Sequence, residues 1–240
     1  MFTTKSNQVN HDKSSLKQWA ARLVQVLALA VIMDSILFLL AGRLDWRGPW
    51  ILIFLYLVLL LGFVRWAIRN EPELLEERSR MASNVKGWDK IILGLYTIAL
   101  IGLLIVAALD AGRFRWTKMP VALQVFGVLG FISCAIWLLW VTRTNAYLSR
   151  FVRIQADRDQ QVITTGPYRY VRHPMYASMI PFFLCVALIL GSWWALVPGA
   201  ALATLLVIRT ALEDRMLREE LPGYKEYARR VRYRLLPGVW

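Results

Sequence analysis

Apolar residues run along this chain in long unbroken blocks, not in the alternation that marks a half-buried strand. The blocks fall at residues 23–41, 50–64, 91–109 and 121–141, and a closing pair follows at 176–190 and 193–208. A helix crossing the hydrocarbon of a bilayer needs about 20 residues, within a range of about 17–25. The first, third and fourth blocks meet that length, and the second meets it when Trp66 and its neighbours carry it past Arg65. The closing pair, with 15 and 16 residues, is short for two independent spans and reads as a tilted helical hairpin turning at Gly191-Ser192. The pattern predicts an all-α, polytopic membrane helix bundle: four spans plus a C-terminal helical hairpin, giving five to six membrane segments.

Punctuation supports these bounds. Pro49, Pro120 and Pro174 stand where spans begin, and proline is preset for the first turn of a helix. Pro181 and Pro198 lie inside the hairpin and are expected to kink its arms, making a bent wall for a lipid-accessible cleft. Trp46, Trp50, Trp66, Trp88, Trp116, Trp140, Trp193 and Trp194 cluster at block ends, where amphipathic rings prefer the membrane interface. Three regions follow: a polar tail at 1–18, transmembrane helices at 19–145, and a C-terminal region at 146–240 that carries most of the polar chemistry. No cleavage site follows the first block, so it reads as an uncleaved span. Residues 70–80 read as a short amphipathic cytoplasmic helix. Asp34 falls inside the first block, where an ionisable group is by default a functional hypothesis; its bland alternative is that it faces a neighbouring helix or snorkels toward an interface.

Composition strengthens the membrane reading, since 58% of the 240 residues are hydrophobic against about 45–50% in soluble domains. The net charge of +13 would suggest nucleic acid in a soluble chain. Here the basic residues flank apolar blocks, so they set orientation and no nucleic-acid partner is expected. Four Lys and Arg precede the first block, six lie between residues 65 and 90, six between 143 and 172, and eight from 209 onward. The opposite side holds five: Arg43, Arg47, Arg113, Arg115 and Lys118. Both termini are therefore expected in the cytoplasm, together with the two polar stretches that bracket the hairpin.

Familiar soluble signatures are missing: no GxGxxG opens a helix after a strand and no phosphate loop is present. The two histidines, His11 and His173, and the two cysteines, Cys134 and Cys185, are too scattered for a zinc set, so no metal is expected. What remains is the pair of polar stretches. Residues 164–176 read TTGPYRYVRHPMY and residues 209–227 read RTALEDRMLREELPGYKEY. A hairpin between them returns both to one face. Taken singly, each residue has a structural reading: tyrosine at an interface, arginine on lipid phosphate, His173 as a helix cap.

As a set, TTGPYRYVRHPMY, the acidic element Glu213, Asp214 and Leu217, then PGYKEY and RVRYRLLP resemble the isoprenylcysteine carboxyl methyltransferases of membranes. Phospholipid N-methyltransferases carry a related pattern. The resemblance covers residues 152–237. It implies an S-adenosylmethionine site at the cytosolic face with no Rossmann domain, and a lipidic or otherwise hydrophobic methyl acceptor. By matching position, Gln155 and the backbone of Gln161, Val162 and Ile163 would line the nucleoside part of the cofactor. Tyr168, His173, Pro174, Met175 and Tyr176 would form the main pocket, and Glu213 would accept hydrogen bonds from the cofactor. Arg209, one helical turn before Glu213, would hold an anionic group of the acceptor in a catalytic role; the alternative is a simple i,i+4 ion pair with Glu213. The chain departs from the pattern at Asp214, where a second glutamate is common, and at Ala177-Ser178, where a glycine commonly follows the tyrosine. Two other classes stay open: an NADPH-dependent membrane reductase of the steroid-reductase type, and a transporter or assembly protein.

Overall fold

The computed structural model describes residues 24, 27, 28, 31–70 and 85–240. It is helical throughout the regular part of those residues. The helices are α1 (Val31–Ala41), α2 (Arg47–Asn70), α3 (Gly87–Ala107), α4 (Val121–Thr144), α5 (Pro174–Leu190), α6 (Leu196–Glu220) and α7 (Tyr224–Arg230). Short 3-10 turns at Ala156–Arg158 and Gly166–Arg169 interrupt the long connection between α4 and α5. The expected helix at 70–80 lies, apart from Asn70, outside the described residues, as does the polar tail.

Four helices are long and apolar enough to cross a bilayer: Arg47–Trp66, Gly87–Phe114, Val121–Thr144 and Leu196–Glu220. Their outer faces carry Phe54, Leu61, Ile98, Val125 and Ile136, all exposed. Those side chains are costly in water and ordinary against lipid. The chain is an integral membrane protein.

The hairpin is less symmetric than the sequence pattern suggests. Its first arm, α5, begins with Pro174 after His173 and ends on Gly191, whose φ of +74° suits a glycine. The Gly191 amide bonds back to Ala187 and Leu188, closing the helix end. The second arm, α6, runs 25 residues without a break through the polar stretch that follows its apolar part. Hence Pro198 sits in the first turn of α6, where the missing amide has no acceptor to lose, and the kink expected there is not required. Pro181 lies within α5, which continues helical on both sides of it.

Helix α5 is the centre of the bundle. Ala187, Ile189 and Leu190 are essentially buried and share a core with Leu103 of α3, Phe131 of α4, and Leu202 and Leu206 of α6. The α4–α5 contact is close because α4 presents small residues. A Cβ on Gly127 would lie 2.7 Å from Leu188 Cβ, and one on Gly130 would lie 2.6 Å from Cys185 Sγ. Close approach through small residues is how helices gain dispersion energy in lipid, where no hydrophobic drive separates them from solvent. Asp34 stands part-buried on α1.

Candidate active site

The two polar stretches meet where the hairpin opens, and two buried carboxylates organise the meeting. Asp214, on α6, faces the chain just before α5. Arg172 reaches it with two bonds, Nε to Oδ1 at 2.7 Å and Nη2 to Oδ2 at 3.2 Å. Arg218 and Arg234 add Nε contacts to Oδ2 at 3.1 and 3.0 Å, and the Tyr224 hydroxyl donates to Oδ1 at 3.0 Å. His173 Nε2 stands 3.3 Å from both Asp214 Oδ1 and the Tyr224 hydroxyl. Through Asp214, Arg172 ties the entry of α5, Arg234 the C-terminal segment and the Tyr224 hydroxyl α7 to α6, while Arg218 braces the carboxylate from α6 itself. The backbone repeats the tie: the amides of Arg172 and His173 donate to the carbonyls of Tyr233 and Arg234, each at 2.9 Å.

Above this lattice lies a cleft of about 100 Å³. Gln155, Gln161, Val162, Ile163, Tyr168, His173, Pro174, Met175, Tyr176 and Glu213 all line it. Every position singled out for a cofactor thus converges on one cavity. Their individual states differ. Tyr176 is buried and donates to Glu213 Oε2 at 2.6 Å, which fixes the carboxylate at the cavity wall. Tyr168 receives Asn145 Nδ2 at 2.7 Å on its hydroxyl, while its carbonyl accepts from the Tyr227 hydroxyl at 2.8 Å. Burial pushes the phenols of Tyr168, Tyr224 and Tyr227 above their ordinary range, and Asp214 adds to the effect at Tyr224. All three therefore stay protonated donors at neutral pH. Gln155 works for the loop: its Nε2 donates to Tyr147 O at 2.6 Å and its Oε1 accepts from Arg158 Nη1 at 3.0 Å.

Arg209 is not part of the lining. Its guanidinium lies one layer behind, with Cζ 5.6 Å from the centroid of the Tyr176 ring. Neither sequence expectation describes its contacts, because it pairs with Asp89 of α3, Nε to Oδ1 at 2.8 Å and Nη2 to Oδ2 at 3.2 Å. Glu213 is engaged instead by Tyr176. Sequence reasoning gave no role to Asn145 or to Tyr224 and Tyr227, whose rings meet edge to face. The two tyrosines sit in the quoted PGYKEY element and their spacing of three gave a signal; Asn145 gave none.

Beside the cavity, on the lipid-facing side, a second hollow of about 290 Å³ opens between α4, α5 and the C-terminal segment. Cys134, Trp137, Ala177, Pro181 and Leu235 line it. Trp137, from the wall of this hollow, donates its Nε1 at 2.9 Å to the carbonyl of Pro174, which lines the first cavity.

The cavity suits an S-adenosylmethionine-sized zwitterion with a sulfonium centre on three counts. Glu213 offers a carboxylate, the first-turn amides of α5 lack intrahelical acceptors and favour an anionic group, and tyrosine and methionine supply apolar walls. Among the described residues, no group of three or more His, Cys, Asp or Glu side chains is gathered where it could hold a metal ion.

Comparison with known proteins agrees with the geometry. The phospholipid methyltransferase family model matches residues 123–222. The chain is 32% identical over 133 residues to the cobalt-zinc-cadmium resistance protein CzcN of Cupriavidus metallidurans, covering 53% of this chain and 56% of that protein. It is 27% identical over 137 residues to the nickel-cobalt-cadmium resistance protein NccN of Alcaligenes xylosoxydans xylosoxydans, covering 53% and 57%. The aligned part is thus little more than half the length of these relatives. The matched residues 123–222 hold nearly all of α4, the whole hairpin and most of the cavity lining, so the similarity to the phospholipid methyltransferase family falls on the part of the chain that builds the cavity.

Proposed function

We propose that the cavity binds S-adenosylmethionine and that the protein passes its methyl group to a lipidic or otherwise hydrophobic acceptor arriving from the bilayer. The observation that carries this reading is the convergence of all ten expected cofactor positions on one cavity beside an apolar hollow. S-adenosylmethionine supplies an electrophilic methyl on a sulfonium. The chain's own residues then have to bind, align and exclude water, and alignment carries much of the rate in an in-line displacement. Tyr176 holds Glu213 toward the cavity as an acceptor for donors of the cofactor. The backbone at 161–163 and the loop braced by Gln155 enclose the nucleoside. The hollow at Trp137 and Pro181 receives the apolar part of the acceptor. For an amine or thiol acceptor a proton must leave, and His173, which lines the cavity, is the group assigned to take it. Arg209, with its fork filled by Asp89, is assigned to the cavity wall and not to the acceptor.

We also read the cavity as facing the cytoplasm, because 24 of the 29 Lys and Arg lie on its side by loop count. Cysteines placed at Asp157 and Lys225 are expected to label from the cytoplasm and one at Asp45 from the other side; labelling of 157 and 225 from opposite faces would break the reading. If the chain serves metal resistance as its named relatives do, this site gives it a chemical step on a membrane-borne acceptor. Calorimetry of the purified protein with S-adenosylmethionine and with NADPH tests the proposal. Binding of the first supports it, binding of NADPH alone makes the protein a reductase, and binding of neither turns it toward transport or assembly. Screening lipid extracts with label-bearing cofactor then finds the acceptor.

A further inference from the structure

We infer that Asp89, outside the family-matched residues, is a positioning residue that holds Arg209 and one wall of the cavity in place. The inference rests on the cofactor reading above. Asp89 stands in the first turn of α3 and is fully buried. Both of its oxygens are committed. Oδ1 accepts from Arg209 Nε at 2.8 Å, and Oδ2 accepts from Arg209 Nη2 at 3.2 Å and from the Val152 amide at 2.9 Å. The same Nη2 donates to the Arg150 carbonyl at 2.9 Å. One buried ion pair thus joins α3, α6 and the irregular stretch around residue 151.

That stretch matters because Phe151, Val152 and Arg153 line the cavity. Residues 152–155 have no regular secondary structure, so their backbone groups must find partners elsewhere. The Asp89–Arg209 pair supplies one of them, for the Val152 amide, and also takes the carbonyl of Arg150 just before this stretch. On its other side, Arg209 lies 5.6 Å over the Tyr176 ring, and Tyr176 in turn holds Glu213. A displaced guanidinium would therefore disturb two walls at once. Stability alone is a poor reason for such a pair, since well-packed apolar replacements of buried ion pairs are often as stable or more so. Geometry is the better reason: a planar fork on a carboxylate fixes direction, which a point charge or an apolar contact does not.

The test uses the full chain in lipid nanodiscs, with Asp89→Ala, Asp89→Asn and Arg209→Ala. Three quantities are measured: amide hydrogen exchange over residues 148–155, S-adenosylmethionine affinity, and the unfolding temperature. Expected for Asp89→Ala is faster exchange at 150–153 and affinity weakened about tenfold or more, with exchange at residues 108–117 unchanged. Asp89→Asn keeps an acceptor for the Val152 amide and should fall between Asp89→Ala and the parent. Adding Asp89→Ala to Arg209→Ala should bring no further loss, because the two act as one unit. Parent-like exchange at 150–153 in Asp89→Ala overturns the inference, and so does faster exchange with parent-like affinity. Should Asp89→Ala fail to fold, the same two criteria are applied to Asp89→Asn. Should the parent itself not bind S-adenosylmethionine, the methyltransferase reading falls, and exchange in the cofactor-free protein alone decides whether Asp89 holds the wall.

Discussion

The two ends of the α5–α6 hairpin bury carboxylates in opposite ways. At the cavity end, Asp214 sits among Arg172, Arg218 and Arg234, and Asp89 takes the fork of Arg209. At the turn end, Asp110 is equally buried but its bonds come from neutral donors. Thr117 gives its amide and hydroxyl to Oδ1 at 3.0 and 2.9 Å, Ser192 donates to Oδ2 at 2.6 Å, and the Trp194 amide approaches Oδ2 at 3.4 Å. Asp110 lies where α3 widens into a π-helical turn, Ala108–Phe114, and it clips that turn to the hairpin loop. The difference follows from what each end must hold. The turn end joins two short connections, and a few hydrogen bonds suffice. The cavity end must fix long irregular segments, 145–173 and 231–240, around a space that admits a ligand, and guanidinium forks hold direction across such segments.

Removing Asp214 should have the largest effect. In Asp214→Ala, Arg172 keeps its two carbonyl contacts, to Val231 and Arg232 at 2.7 Å each, but stays buried without a counter-charge. Breaking one side of a buried pair costs about 3–5 kcal/mol. Arg218 and Arg234 are partly exposed and recover water. Denaturation in mild detergent is expected to show that loss together with a loss of S-adenosylmethionine binding. A stability change no larger than that of a turn-end variant would dissolve the contrast between the ends.

A second substitution separates ligand binding from folding at the cavity end. Glu213→Gln keeps an acceptor for the Tyr176 hydroxyl, so the helix contact survives, but it withdraws the negative charge from the cavity wall. S-adenosylmethionine affinity should fall at least about tenfold, the equivalent of about 1.4 kcal/mol, while the unfolding midpoint stays within about 0.5 kcal/mol of the parent. Unchanged affinity would take Glu213 out of the pocket.

The legible part of this molecule is what repeats or clusters along the chain. Apolar blocks and their proline starts placed α2, α3 and α4 to within a few residues, and the dense polar set around His173 and Glu213 named residues that do share a cavity. The unread part is what depends on a single distant partner. Asp89 and Asp110 each stand at one edge of the same apolar block, where an acidic residue ordinarily marks a solvated boundary. Asp89 pairs with Arg209, 120 positions away, and Asp110 takes Ser192, 82 positions away, besides the nearby Thr117. No local pattern distinguishes a boundary aspartate from a buried one when a deciding contact comes from a distant segment. The Asp89 partner of Arg209 was illegible for the same reason, since only Glu213 was within sight on its own helix. The long α6 was missed differently: charges at Arg209, Glu213 and Asp214 end the apolar block but not the helix, because good helix formers continue through Glu220.

The smallest effect sharpens the contrast most. Ser192→Ala removes the shortest of the donors to Asp110 and also the acceptor of the Ala195 amide at 3.0 Å. Thr117 still gives its amide and hydroxyl, so the carboxylate is not left bare, and the loss should be about 1–2 kcal/mol. Nothing at the cavity end depends on Ser192 through a contact. Helices α5 and α6 are continuous between the two ends, so any influence would have to travel by tilting a whole packed helix, which the close α4–α5 fit at Gly127 and Gly130 resists. Unfolding measurements should therefore register Ser192→Ala while calorimetry with S-adenosylmethionine does not. If affinity drops as it does for Glu213→Gln, the hairpin acts as one lever, and the turn end helps to shape the cavity after all.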